Sequence, residues 1–127
     1  MLKAKDIMTR EAITVGPDTD LKEATRILVE NKVSGMPVID EEGKVIGMIS
    51  EKDILNFIFS GNFDSTTVKE AMTSHIVSFS PDTDIEKISL VMGERQIRRV
   101  PILENGKLVG IISRRSIIRT ILDIPKK

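Results

Sequence analysis

The sequence predicts a mixed α/β (α+β) fold of tandem strand–helix–strand–strand–helix repeats with pseudo-two-fold symmetry, their small sheets packed face to face. Three observations carry this expectation. Short motifs recur at a constant spacing, apolar residues in each copy switch between helical and strand periods, and turn residues fall between the periodic stretches.

The recurrence is extensive. Met8-Thr9 returns as Met72-Thr73 and Pro17-Asp18-Thr19-Asp20 as Pro81-Asp82-Thr83-Asp84, both at an offset of 64, which also takes Pro37 to Pro101. One residue is then lost in a turn, where Glu41-Glu42-Gly43-Lys44 faces Asn105-Gly106-Lys107. Beyond it the offset is 63, taking Gly47 to Gly110, Ser50 to Ser113, Ile54 to Ile117 and Ile58 to Ile121. Apolar swaps fill the intervals, among them Leu21 with Ile85 and Leu28 with Met92. This is a duplication. The expected organisation is a single module over residues 1–127, with repeats at 6–59 and 70–122 and a linker at 60–69.

Each copy opens on a β-branched stretch, Ile13-Thr14-Val15 or Ile76-Val77-Ser78-Phe79, which reads as a strand. Asp20 followed by Glu23 makes a helix N-cap and its capping partner. Leu21, Ala24, Ile27 and Leu28 then share one helical face, as do Ile85, Ile88, Val91 and Met92. A hairpin follows, Met36–Ile39 into Val45–Ile49 and Val100–Leu103 into Leu108–Ile112. Its second copy turns at Asn105-Gly106, a pair suited to positive φ angles. A closing helix is expected over roughly Glu51–Phe59 and Arg114–Leu122. Each half has about 55 residues, near the lower limit for a self-sufficient core, so the halves are expected to share one and to leave two related clefts along the seam.

Composition narrows the function classes. The 127 residues are 40% hydrophobic and 30% charged, with 19 basic and 19 acidic side chains. Zero net charge argues against a broad nucleic-acid surface while allowing a local basic patch. Without cysteine, disulfides and thiolate metal sites are excluded. Neither an apolar leader nor a run of membrane-spanning length is present, which sets the expected location as cytoplasmic, without membrane contact. Tyr and Trp are missing, so a nucleobase would pack on aliphatic side chains. His75, the one histidine, reads as a solvated loop residue. No nucleophile–base pair or phosphate-binding glycine loop points to an enzyme.

The segments Asp6-Ile7-Met8-Thr9, Pro17-Asp18-Thr19, Gly35-Met36-Pro37-Val38-Ile39-Asp40 and Gly47-Met48-Ile49-Ser50-Glu51-Lys52-Asp53, with their second copies, resemble the signature of the cystathionine-β-synthase (CBS) domain. The chain is thus similar to a complete CBS pair, or Bateman module, over nearly its whole length. The resemblance implies a non-catalytic regulatory module that binds AMP, ADP, ATP or S-adenosylmethionine as a regulatory ligand and requires no cofactor. It further implies a homodimer that signals to a separate effector protein.

The resemblance carries residue roles. Ser50 and Asp53 match a family pattern in which a hydroxyl meets phosphate or ribose and a carboxylate accepts from ribose hydroxyls. The same Ser-x-x-Asp is also a capping-box-like helix start, and both roles can coexist. The resemblance groups Ser34, Lys52, Thr73, Val77 and Arg98 with this first cleft. Thr9, Ile13, Arg99, Ser113, Arg115 and Ser116 fall to the second, where Ser116 stands in place of the aspartate. That cleft is open to three readings: empty, phosphate held by neighbouring arginines, or another ligand. For Arg98-Arg99 the competing readings are phosphate contact, a solvated pair, and salt bridges to Glu94 or Glu104. The competing function is a ligand-free dimerising scaffold.

Overall fold

The computed structural model describes residues 1–124. Ten elements follow one another: α1 (Ala4–Ile7), α2 (Leu21–Asn31), β1 (Gly35–Ile39), β2 (Val45–Ser50), α3 (Glu51–Leu55), α4 (Val68–Ala71), α5 (Ile85–Arg95), β3 (Arg99–Glu104), β4 (Lys107–Ser113) and α6 (Arg114–Leu122). The chain divides into two compact units that cut across the sequence repeats. One is contiguous, Ile13–Ile76, and the other joins Met1–Ala12 to the residues from Val77 onward. No helix among the described residues is long and apolar enough to cross a membrane.

In the contiguous unit, Leu21, Ala24 and Leu28 bury one stripe of α2, the spacing of an amphipathic helix. The β1–β2 hairpin is antiparallel, pairing Gly35 with Ser50 and Met36 with Ile49, with a bulge between Val38 and Ile39. Its turn is held by Asp40, whose Oδ1 accepts from the amides of Glu42 and Lys44, both at 2.9 Å. Val15, Leu21, Ala24, Leu28, Met36, Val38, Ile49, Ile54 and Val68 form the core. Val68 belongs to α4, a helix absent from the sequence expectation. Thr67 caps it, accepting from the Glu70 amide at 3.3 Å while Glu70 Oε1 accepts from the Thr67 hydroxyl at 3.0 Å. Residues 60–69, expected as a linker, therefore hold a turn and the start of a helix that packs on α2 and β2.

The composite unit repeats this plan with exchanged parts. Arg99 pairs with Ser113 and Val100 with Ile112 in the β3–β4 hairpin. Asn105 and Gly106 both take positive φ, 55° and 80°, as the turn chemistry predicts. Ile85, Ile88, Met92, Val100, Ile102, Ile112 and Ile117 make the core, completed by Ala4 from the chain start. The backbone amides of Ala4 and Lys5 donate to the carbonyls of Thr83 (2.8 Å) and Pro81 (2.9 Å). Lys3 Nζ reaches Asp84 at 2.6 Å and Lys5 Nζ reaches Asp82 at 3.0 Å. The Asp82 hydrogen bond and charge raise the Lys5 pKa above its ordinary value; the pair is exposed and contributes little to stability.

Two sequence expectations change in extent. The β-branched openings each contribute one parallel bridge, Val15 to Val38 and Phe79 to Ile102, rather than a full strand. The first closing helix, expected to reach Phe59, ends at Leu55 and continues as turns in which the Phe57 amide bonds the Ile54 carbonyl. Asn56, Phe57, Ile58 and Phe59 are all middling helix formers, and Gly61 follows at φ 88°.

Equivalent aspartates have diverged in role. Asp20 caps α2, accepting from the Glu23 amide at 2.8 Å, whereas Asp84 spends its carboxylate on Lys3. Asp20→Ala is expected to cost about 1 kcal/mol, read as a lowered midpoint in urea. Asp84→Ala should fall well below that, because it loses only a surface ion pair.

Candidate functional site

The start of α3 is a reciprocal capping box. Ser50 Oγ accepts from the Asp53 amide at 3.3 Å, and Asp53 Oδ2 accepts from both the amide and hydroxyl of Ser50 at 3.0 Å. The other carboxylate oxygen, Oδ1, accepts from the Thr73 hydroxyl at 3.3 Å. Thr73 is held there by backbone: its amide and carbonyl exchange 2.9 Å bonds with Met48. That close approach needs Gly47, where a Cβ would lie 2.5 Å from Met72 Sδ and 3.0 Å from the Thr73 carbonyl oxygen. Ser34 joins the same region through its carbonyl, which accepts from the Glu51 amide at 2.9 Å.

Of the residues expected around Asp53, the contiguous unit thus brings Ser50, Thr73 and Ser34 together with it, and leaves Lys52 exposed on the first turn of α3. Val77 and Arg98 fold with the other unit, where Val77 packs against the core and Arg98 is exposed. Chemically, Asp53 is a half-buried carboxylate with about four lone-pair sites, three of which meet Ser50 and Thr73. A hydroxyl-bearing ligand can take the remaining one, and a second by displacing Thr73. Sequence reasoning identified the Ser50–Asp53 box; the seating of Met72 over Gly47, beside the Thr73 backbone, was not anticipated. The signal for it was the glycine at 47, inside a strand where a side chain would ordinarily pack.

The composite unit builds the corresponding helix start from hydroxyls alone. Ser113 Oγ accepts from the Ser116 amide at 3.0 Å, and Ser116 Oγ accepts from the Ser113 amide at 3.1 Å and donates to the Ser113 carbonyl at 2.8 Å. The Ser116 proton is therefore committed locally. Thr9 occupies the place of Thr73, exchanging backbone bonds of 2.9 and 3.0 Å with Ile111, and Met8 covers Gly110 as Met72 covers Gly47. Arg99 lies opposite Ser113 in the hairpin, and the Arg98 carbonyl accepts from the Arg114 amide at 2.8 Å. Arg115 is exposed at the start of α6. Ile13 sits in the contiguous unit, packed against its core. His75 is exposed in the segment after Thr73.

The sequence profile of the CBS domain matches the chain twice, over residues 4–60 and 68–123. The CBS domain-containing protein YhcV of Bacillus subtilis is 36% identical over 114 residues, spanning 89% of this chain and 81% of that protein. Among solved structures, CBSX2 in complex with AMP superposes with a TM-score of 0.91 at 30% identity, covering 99% of this chain and all of that one. The CBS domain pair of MJ0100, in complex with 5′-methylthioadenosine and S-adenosyl-L-methionine, gives 0.86 at 26% identity, with coverages of 95% and 96%.

Proposed function

Because the chain belongs to the CBS-domain family, two copies of which fill most of its length, we propose that it is a non-catalytic regulatory module that binds an adenosine-containing ligand at Asp53. AMP, ADP, ATP and S-adenosylmethionine are the candidates. One observation carries this reading: Ser50 and Thr73, distant in sequence, converge on the carboxylate of Asp53. A cap alone requires Ser50; it does not require a hydroxyl from another segment. The complexes of CBSX2 with AMP and of MJ0100 with 5′-methylthioadenosine and S-adenosylmethionine support the ligand class. On binding, the ribose hydroxyls take the Asp53 oxygen that Thr73 now holds. The Met72–Thr73 segment then changes its partner, and that change is the signal passed to an effector protein.

Calorimetry with the four ligands tests the proposal. Asp53→Ala is expected to weaken binding by about 2 kcal/mol, some thirtyfold, as loss of a charged hydrogen-bond acceptor. Its melting temperature separates this effect from loss of the cap. Absence of binding by the native protein, or equal binding by the folded variant, defeats the reading.

A ligand-free dimerising scaffold is the second reading. It is favoured by apolar side chains left open to solvent, Val29 (70% exposed) and Leu55 (66%) in one unit and Ile118 (60%) and Leu122 (79%) in the other. Homodimerisation is compatible with both readings. Sedimentation is expected to give a dimer that Leu55→Glu with Ile118→Glu converts to monomer. If nucleotide binding is also absent from the dimer, the scaffold reading stands alone.

A further inference from the structure

The two hairpins differ most at their tips. The β1–β2 turn runs over residues 40–44 and is closed by Asp40, which accepts from the Glu42 and Lys44 amides. The β3–β4 turn has two residues alone, Asn105 and Gly106, between the paired Glu104 and Lys107. Of the four asparagines in the chain, Asn105 is the one followed by glycine. Both turn residues are exposed, and among the described residues no hydrogen bond holds the Asn105 carboxamide or the Gly106 amide. The other asparagines are placed differently. Asn31 donates through its side chain to the Ile27 carbonyl at 2.8 Å and precedes Lys32. Asn56, at the C-cap of α3, and Asn62, whose Oδ1 accepts from the Ser60 hydroxyl, each precede a phenylalanine.

An asparagine before a glycine carries its own electrophile and nucleophile. The Gly106 nitrogen can attack Cγ of Asn105, and no Cβ stands beside that nitrogen to shield it. The new Cγ–N bond closes a succinimide, the Cγ–Nδ2 bond breaks, and the displaced proton leaves with Nδ2 as ammonia. Water then opens the ring. Opening at Cγ gives aspartate; opening at the main-chain carbonyl gives isoaspartate, whose chain runs on through Cβ and Cγ. One water is consumed and one ammonia released, with no redox change. Closure needs the Gly106 nitrogen swung beside Cβ, at an Asn105 ψ of about −120°, the value of the first central residue in a type II′ turn. That residue also takes positive φ, and Asn105 already lies at 55°. The turn therefore reaches the reactive geometry by rotating the single peptide plane between 105 and 106. Gly106, now at φ 80°, tolerates either sign, and both turn types join hairpin strands.

We propose that Asn105-Gly106 is a self-modification site, converting to aspartate and isoaspartate and so marking the composite unit with age. The two products act differently on the fold. Aspartate leaves the main chain intact and suits a tight hairpin turn as asparagine does. Isoaspartate adds a carbon to the main chain inside a two-residue turn, and the turn no longer matches the twist of its strands. The strain falls on the end of β3. There the Leu103 amide bonds the Phe79 carbonyl at 2.9 Å and Ile102 bridges Phe79. Each product also places a new negative charge beside Glu104. The contiguous unit has no asparagine–glycine pair, so the two copies age unequally.

The test is storage of the whole native protein in warm, mildly alkaline buffer, with peptide mass spectrometry at intervals. Asn105 is expected to deamidate at least about tenfold faster than Asn31, Asn56 or Asn62. Aspartate and isoaspartate peptides separate by chromatography, and both should accumulate. This arm uses the native chain, so no variant's folding decides it. Asn105→Gln should lower ammonia release from the segment at least about tenfold, because its ring closure is slower. Asn105→Asp carries the new charge without the added carbon, and isolates the effect of isoaspartate. Amide protection at Ile102 and Leu103 should persist in Asn105→Asp and fall at least about fivefold in the isoaspartate form. Asn105 staying intact while another asparagine converts, or an isoaspartate form as well protected as Asn105→Asp, would overturn the proposal.

Discussion

Deletion of residues 1–12 is expected to unfold the composite unit while the contiguous unit keeps its structure. The segment supplies Ala4, fully buried, and packs Leu2, Ile7 and Met8 against the core. It also supplies backbone bonds to Pro81, Thr83, Ile85 and Ile111. Removing that apolar cover costs on the order of 4–6 kcal/mol, comparable with the whole stability of a small domain. Hydrogen exchange checks this: amides in Val100–Ile102 and Ile112 should lose protection, whereas those in Met36–Val38 and Ile49 keep theirs. A synthetic peptide of residues 1–12 added in trans should restore part of the protection. If Val100–Ile112 stays protected in the deletion, the segment is an ornament rather than part of the core.

Gly110→Val is expected to destabilise the same unit by about 2–4 kcal/mol. A Cβ at Gly110 would lie 2.5 Å from Met8 Sδ, 2.7 Å from its Cγ and 3.0 Å from its Cβ. The last contact decides the sign, because a Cβ moves only with its backbone. Relief requires lifting the Met8–Thr9 segment and breaking its pairing with Ile111. Urea denaturation measures the loss, and Met8→Ala in the same chain should recover part of it by opening the space. Gly93→Ala is a control of opposite sign. It sits within α5 with nothing within 4 Å of an added Cβ, so it should stabilise by about 0.5–1 kcal/mol. A neutral Gly110→Val would show that the close packing over β4 is dispensable.

The repeat made much of this molecule legible before any coordinates. Helical stripes such as Leu21, Ala24 and Leu28, hairpin proline positions, and the Asn105-Gly106 turn all follow from local periodicity and turn chemistry, and each is found as read. The features that escaped depend on contacts far along the chain. The opening strands shrink to single bridges because Val15 and Phe79 each meet their hairpin at one residue. The helices α1 and α4 are four residues each, too short for a periodicity to register. At the candidate site, the Ser50–Asp53 pairing is local and readable, and a contribution from Thr73 was expected from resemblance. The backbone exchange with Met48 that holds it, and the seat of Met72 over Gly47, needed coordinates. Ser116 was legible as a departure from the first copy, but not the bond that ties up its proton.

The crossing of units over repeats also fixes an order of events in time. Residues 13–76 hold every contact their unit needs within one continuous stretch, so its loops close over short separations. Thr9 must instead wait for Ile111, and Lys3 for Asp84. As the chain leaves the ribosome, residues 1–12 emerge ahead of residues 81–111 and find their partners only once those have followed. Until then Leu2, Ile7 and Met8 are apolar side chains without a seat. The unit finished last is the one whose beginning was made first.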